Sequence, residues 1–175
     1  MNTERPLVNR VASSGIQTIN LESFFPKEEV VIFDLKDYLF MELILKEKDF
    51  RAALKEHDWQ QYEGKVLCVF CSTDAIIPTW AFMLVASYAA PFAAKVVQHT
   101  KEIYYEMAYQ IALANFDVSS YQDQRVVIKG CSNKPVPVSA YVELTRLLRP
   151  IAKSIMYGEP CSTVPIFKKP RIRKK

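Results

Sequence analysis

Residues 65–90 of the chain read KVLCVFCSTDAIIPTWAFMLVASYAA and join two elements of different kinds. The run 65–70 has an uncharged centre and predicts a short strand buried on both faces. Further on, Pro78 and Pro91 bracket an uncharged segment and leave 79–90 as its uninterrupted helix. Twelve residues of helix cover about 18 Å, well short of the roughly 30 Å of a bilayer core. We therefore expect a buried helix after a buried strand, and no membrane span.

Strands and helices alternate along most of the chain. Runs of β-branched residues predict strands at 29–34 and 125–129, whereas 95–98 could be a strand or the beginning of the next helix. This alternation favours an α/β fold with a mixed, largely parallel sheet and flanking helices. The predicted helices are 49–56, 79–90, 101–114 and 139–157, and we expect Pro150 to kink or break the last one.

The N-terminal part fits this alternation less well. The segment 42–45 can pair with 29–34, which predicts an antiparallel, hairpin-like edge of the sheet. No linker separates this part from the rest, so we predict a single domain over 1–167, followed by a tail at 168–175.

The charge of the chain is concentrated in that tail. Six of its residues are basic, and removing them from the net charge of +4 leaves a body of −2. A block of like charges repels itself and is usually disordered. Because the body is mildly acidic, we expect the tail to aid solubility and to bind nucleic acid at most weakly. The six basic residues are Lys168, Lys169, Arg171, Arg173, Lys174 and Lys175.

Composition also excludes several classes of protein. The chain has only four glycines and lacks both the dinucleotide fingerprint and the P-loop. Residues 1–23 lack the apolar stretch of a secretory signal. We therefore expect a cytoplasmic protein in a reducing compartment, where disulfides are not the default role of cysteine.

Cysteine is followed by serine at three places, and this is the most specific local pattern. Two of these pairs, Cys71-Ser72 and Cys131-Ser132, directly follow predicted strands. If the strands are parallel, both cysteines lie at the carboxyl edge of one sheet, where ligands of open α/β sheets usually bind. A following helix N-terminus favours a thiolate. Cys71 and Cys131 are therefore candidate metal ligands or reactive thiols, although a free cysteine is often a small buried hydrophobe.

Two further cysteines fit this site less well. The third Cys-Ser pair begins at Cys161, and an unbroken helix 139–157 would carry it to the opposite edge of the sheet. A break at Pro150, or a partner subunit, could bring it back. Cys68 and Cys71 have the spacing of metal ligands, but Cys68 lies within the predicted strand and is interpreted as core filler.

Several polar residues could support a thiol site. Ser72 and Ser132 follow the two cysteines, and Lys129 could stabilise a thiolate, although loop lysines are usually only solvated. Asp74 could orient a ligand, or simply cap the next helix. His57 could act as a base for Cys71, oriented by Asp58 or Asp74. His99 is interpreted as a surface residue.

These patterns leave three classes of function open. The first is an accessory protein that binds a metal, an iron–sulfur cluster or a sulfur species through Cys71 and Cys131, with Cys161 as a third candidate ligand. Thiolates suit zinc, iron–sulfur clusters and copper(I), so the sequence does not indicate which metal would bind. The second is a small cysteine-dependent enzyme, and the third is an interaction domain that forms a homodimer.

Several segments together resemble a bacterial family described only as a domain of unknown function, number 2480. The resemblance covers about 7–168 and leaves out the basic tail. It implies a cytoplasmic bacterial protein whose partners include iron–sulfur assembly proteins, and it assigns no catalytic residue to this chain. The segments are LVNRVA (7–12), FDLKDYLF (33–40), LKEKDFRAALKEHDW (45–59), CSTDAIIPTWAFM (71–83), VVIKGCSNKPVPVSAYVELT (126–145) and AKSIMYGEPCSTVP (152–165).

Overall fold

Seven strands and four α-helices alternate along the part of the chain that a computed structural model describes, residues 15–130 and 133–170. The strands are β1 (Ile16–Asn20), β2 (Val30–Asp34), β3 (Val66–Phe70), β4 (Lys95–Val97), β5 (Arg125–Lys129), β6 (Ser154–Glu159) and β7 (Ser162–Lys168). The helices are α1 (Glu47–Glu56), α2 (Thr79–Ala89), α3 (Lys101–Ala114) and α4 (Val138–Leu148).

The chain divides into two compact units, and each contains one sheet. The central unit is Pro26–Met107, and the split unit combines Met1–Phe25 with Ala108–Lys175. The predicted α/β class with mostly parallel strands is confirmed, but the strands form two sheets rather than one. The prediction of a single domain stays a prediction.

The central unit has a parallel three-stranded sheet in the order β2-β3-β4. The middle strand β3 is buried along nearly its whole length, as its apolar sequence predicts. Helix α2 buries Ala81, Val85 and Ala89, which recur every four residues, so its interpretation as a core helix is confirmed. None of the helices in residues 15–130 and 133–170 has the length and apolar character needed to cross a bilayer.

The split unit has a four-stranded sheet in the order β1-β5-β6-β7. The first three strands are parallel, and β7 returns antiparallel beside β6. Helix α4 packs onto this sheet through Ala140, Leu144 and Leu148, which lie on one helical face. Their partners include Val126 and Ile155 of the sheet.

One prediction of secondary structure is wrong and another is confirmed in part. The segment 42–45 does not pair with β2: the chain instead turns back on itself, and Phe40 bridges Ile44. The helix predicted at 139–157 ends at Leu148, so the expected break at Pro150 is confirmed, but the residues after the break form β6 rather than more helix. Strand β7 follows β6 and extends to Lys168, the first residue of the predicted tail.

Candidate functional site

A cavity of about 380 Å³ opens at the carboxyl edge of the three-stranded sheet, where β3 and β4 end. We call it the Cys71 pocket. It brings together a thiol, an imidazole and two hydroxyls, and its exposed wall is more polar than apolar. Its lining residues are Phe70, Cys71, Thr73, Ala75, Ile77, Phe82, Gln98, His99, Thr100 and Ile103.

Cys71 is half-buried directly after β3, and its position is held by a contact to the neighbouring strand. The backbone N–H of Ser72 donates to Oδ1 of Asp34, the last residue of β2, at 3.0 Å. The same oxygen accepts from the N–H of Lys36 at 3.0 Å. Burial opposes ionisation of Asp34, but these hydrogen bonds outweigh it and lower the pKa of the carboxyl. Sequence reasoning missed Asp34, because a residue at a strand end gives no sign of its cross-strand partner.

His99 reaches the Cys71 pocket from the turn between β4 and α3. The next residue, Thr100, begins the helix: its Oγ1 accepts from the N–H of Ile103 at 3.5 Å. Hydrogen bonds from the backbone N–H of Glu102 and from Thr100 lower the pKa of the Glu102 carboxyl. His99 is half-buried and lines this open cavity, so it lies at the surface beside Cys71.

His57 is placed by the structure among aromatic residues. Its Nδ1 lies 3.3 Å from the Tyr38 hydroxyl and its Nε2 lies 2.8 Å from the Tyr62 hydroxyl. Burial lowers the pKa of His57, although the nearby Asp58 carboxylate opposes this shift. With both ring nitrogens engaged by tyrosines, His57 has a structural role, and the histidine that shares a cavity with Cys71 is His99.

The remaining residues predicted near Cys71 take other roles. Asp74 is exposed in the turn after the thiol, and it does not cap α2, because that helix begins at Thr79 after Pro78. Ser72 contributes its backbone N–H to the Asp34 contact. Cys68 is fully buried in β3, and burial raises the pKa of its thiol, so its interpretation as core filler is confirmed.

Cys131 and Ser132 lie outside the described residues. They follow β5, which belongs to the four-stranded sheet, whereas Cys71 follows β3 of the other sheet. The expectation that both cysteines share one sheet edge therefore loses its physical basis. Their joint role in a site stays a prediction.

Cys161 is exposed in the two-residue turn that joins β6 to β7. Since β6 runs parallel to β5, this turn lies at the edge where β5 ends. An ion pair marks that edge: Nζ of Lys129 lies 3.1 Å from Oε2 of Glu159. The opposite location expected for an unbroken helix does not occur, because the chain breaks near Pro150 and returns as a strand, which was the alternative left open. Among the described residues, Lys129 pairs with the Glu159 carboxylate.

Within residues 15–130 and 133–170, no three histidine, cysteine or carboxylate side chains are grouped closely enough to bind a metal ion.

An apolar groove of about 500 Å³ lies between α4 and the β6–β7 hairpin of the split unit. It exposes Val138, Val142 and Ile166, which are 77%, 65% and 53% accessible. The predicted homodimer stays a prediction.

Comparison with known proteins identifies a family but no activity. No curated protein and no solved structure matches the chain. A family model described as "Protein of unknown function (DUF2480)" matches residues 5–169, which is nearly the whole chain. The match includes both sheets, the Cys71 pocket and the Cys161 turn. The chain therefore belongs to the DUF2480 family of proteins of unknown function.

Proposed function

We propose that the protein is a small cysteine-dependent enzyme in which Cys71 is the nucleophile and His99 is the general base. One observation carries the proposal: both side chains line the same cavity at the carboxyl edge of a parallel sheet. That edge is the usual ligand site of open α/β sheets. A half-buried thiol in a cavity is accessible to a substrate, unlike Cys68 in the core.

The chemistry follows from these two groups. His99 accepts the proton of the Cys71 thiol, and the thiolate forms a bond to an electrophilic carbon of the substrate. The leaving group departs with its electron pair and takes the proton from the imidazolium of His99. Phe70, Phe82 and Ile103 share the pocket wall with a larger polar surface, which favours a small substrate that has both polar and apolar parts.

Alkylation by iodoacetamide tests the nucleophile directly, since each cysteine can be followed by peptide mass spectrometry. We expect Cys71 to react faster than Cys161, although Cys161 is more exposed. His99→Gln should slow the reaction of Cys71 by about tenfold or more, because a positioned general base raises the rate of such a step by at least that factor. Cys161 serves as the internal control, and His57→Gln controls for loss of a histidine elsewhere in the central unit.

Two results would refute this proposal. One is a Cys71 that reacts no faster than Cys161. The other is a rate at Cys71 that is unchanged in a folded His99→Gln variant.

The second candidate function is the metal, iron–sulfur or sulfur binding expected from the sequence. One observation supports it: the Cys161 turn lies at the edge of the four-stranded sheet where β5 leads to Cys131. Elemental analysis and a visible spectrum of anaerobically purified protein test it. Stoichiometric zinc or iron that is lost in Cys131→Ser and Cys161→Ser would support this function. A metal-free, colourless protein would exclude zinc and clusters, and Cys71→Ser shows whether the other sheet contributes.

A further inference from the structure

Another cavity of the central unit, of about 260 Å³, lies between helix α1 and the segment that follows β2. We call it the aromatic pocket. Three of the residues that line it carry aromatic rings, and these are Tyr38, Phe40 and Phe50. Its charged lining residues are Asp37, Lys46 and Asp49. The aromatic pocket shares no lining residue with the Cys71 pocket.

Two of the rings are fixed by the core of the central unit. The ring of Phe50 is fully buried, and the ring of Tyr38 meets it edge to face, with centres 5.4 Å apart. Tyr38 also stacks on Phe33, a buried residue of β2, with ring centres 5.0 Å apart. Because both rings are packed before any ligand arrives, binding would cost little ordering of the site.

The third ring is positioned by a strained turn. The N–H of Phe40 donates to the carbonyl of Ile44 at 2.8 Å, and the N–H of Ile44 donates back to the carbonyl of Phe40 at 3.1 Å. Between them, Met41 and Glu42 have left-handed φ angles of 52° and 58°. This conformation is costly for residues other than glycine, and such strain is concentrated at functional sites. The turn leaves the side chain of Phe40 45% exposed at the pocket.

An ammonium group already lies on this ring. The Nζ atom of Lys46 is 3.4 Å from the centre of the Phe40 ring. Lys46 immediately precedes α1, and its ammonium group forms no ion pair with a carboxylate in 15–130 or 133–170. The Phe40 ring therefore holds a cation through the negative face of its π system alone.

Two carboxylates add negative charge beside the rings. Neither Asp37 nor Asp49 forms an ion pair with a residue in the described ranges. Burial and, after it, the charge of Asp37 raise the pKa of the Tyr38 hydroxyl, so the field of this carboxylate reaches the aromatic wall. The two carboxylates outnumber the ammonium group of Lys46, and the lining as a whole favours a positively charged ligand.

From these features we infer that the aromatic pocket binds a small organic cation that carries a methylated ammonium group. Aromatic rings bind such groups because the methyl groups contact the rings while the positive charge is attracted to their faces. A metal ion suits the pocket less well, since calcium and magnesium require more oxygen ligands than two carboxylates supply. The ammonium group of Lys46 occupies the Phe40 ring until the ligand displaces it. The site is independent of the thiol chemistry proposed for Cys71.

NMR titration of the isotopically labelled full chain with choline tests the inference. Its control ligand is 3,3-dimethyl-1-butanol, which has the shape of choline but a carbon atom in place of the charged nitrogen. We expect choline to shift signals of residues 37–53 and to bind about tenfold more tightly than the alcohol, because only choline gains the cation–π attraction. Equal affinities of the two ligands would overturn the inference.

Substitutions at the ring and the carboxylate test how the cation is held. Phe40→Leu should weaken choline binding by about threefold or more and leave binding of the alcohol nearly unchanged, because leucine is apolar but has no π system. Asp37→Asn should weaken choline binding by about two- to fivefold, as expected for an exposed charge pair. Glu56→Gln removes an exposed carboxylate of α1 outside the pocket and is the matched control for Asp37→Asn.

The lysine provides a test with the opposite sign. Lys46→Gln should tighten choline binding, because it removes both a competitor for the Phe40 ring and a like charge. Lys48→Gln makes the same change at an exposed lysine that does not line the pocket, and should have little effect. Choline that binds neither the unmodified chain nor the Lys46→Gln variant would overturn the inference, and so would equal effects of the two lysine substitutions.

Discussion

The hydroxyl of Tyr109 lies in the hydrophobic core of the split unit. The residue is fully buried, and its hydroxyl has no hydrogen-bond partner among the described residues. Burial, with the Glu22 carboxylate nearby, raises the pKa of Tyr109 to about 12. Tyr62 in the central unit contrasts with it, because its hydroxyl lies 2.8 Å from Nε2 of His57. The two tyrosines therefore predict opposite effects when the hydroxyl is removed.

We expect Tyr109→Phe to raise the free energy of unfolding by about 1 kcal/mol, because it removes a buried and unpaired polar group. Tyr62→Phe should lower it by about 1 kcal/mol, because it leaves a histidine nitrogen without its partner. Urea unfolding followed by circular dichroism measures both. A destabilised Tyr109→Phe protein would contradict the prediction and indicate that the hydroxyl has a polar partner.

The sequence located Cys71 at the end of a strand, but it did not indicate which histidine lies beside it. Cys71 follows an obvious buried strand, and local pattern is sufficient to place it at the end of that strand. Whether His57 or His99 shares its cavity depends on which turn closes onto the sheet edge. The ring of His57 instead lies between the hydroxyls of Tyr38 and Tyr62. No local sequence pattern indicates that these tyrosines lie beside it.

Among the elements, the β6–β7 hairpin was the hardest to predict. Proline inside a run normally argues against a strand, yet Pro165 lies in β7. It is tolerated because β7 is the edge strand, and because an irregularity in the pairing lies beside it. Strand β6 was missed as well, because its first residues fell within the helix predicted at 139–157. The apolar residues of β6 also fit a helical spacing.

The hairpin depends on Gly158, which has a φ of +116°. A Cβ there would lie 2.7 Å from the carbonyl oxygen of Ser162 in the facing strand. Gly64 has a φ of +69°, but a Cβ there would meet nothing within 4 Å. It is therefore a control for backbone strain without a clash.

We expect Gly64→Ala to cost about 1–2 kcal/mol of stability from its positive φ alone. Gly158→Ala should cost about 1–3 kcal/mol more, because backbone atoms must also move apart. Thermal unfolding of the two variants measures the difference. Equal losses of stability in the two variants would show that the hairpin backbone shifts enough to accommodate the added Cβ without further cost.

At the scale of the whole molecule, strand pairing decides which chain segments end at the same edge of a sheet. A chain with alternating strands and helices is compatible with one sheet or with two, because the alternation does not state which strands pair. Strand β5 pairs with β1 and β6, not with β3. The strand before Cys71 and the strand before Cys131 therefore belong to different sheets. Pairing of β6 with β5 brings the Cys161 turn to the edge where β5 ends.

Stability should respond to pH across the whole molecule in a predictable direction. The pKa of His57 is lowered in the folded state, so the unfolded state binds its proton first as the pH falls below about 6.5, and stability decreases. The lowered pKa values of Asp34 and Asp123 add a second loss at more acidic pH. The raised pKa values of Tyr62 and Tyr109 add a loss above about pH 10. Maximal stability is therefore expected between these limits.

Urea unfolding at a series of pH values tests this profile. His57→Gln should remove the loss that begins below about pH 6.5 and keep the more acidic one. Stability that rises between neutral pH and about pH 5.5 in the unmodified protein would contradict the sign of the His57 shift.

The sequence alone determined the α/β class, the core helix α2, the buried strand β3 and the position of Cys71 after it. These features depend on spacing and composition within about ten to fifteen residues, which a local pattern can express. Only the tertiary structure decided that there are two sheets, that Asp34 holds the Cys71 turn and that His99 shares its cavity. Each of these depends on pairing between segments far apart in the chain. Strand pairing depends on how the complete core packs, so no single segment of the sequence determines which strands pair.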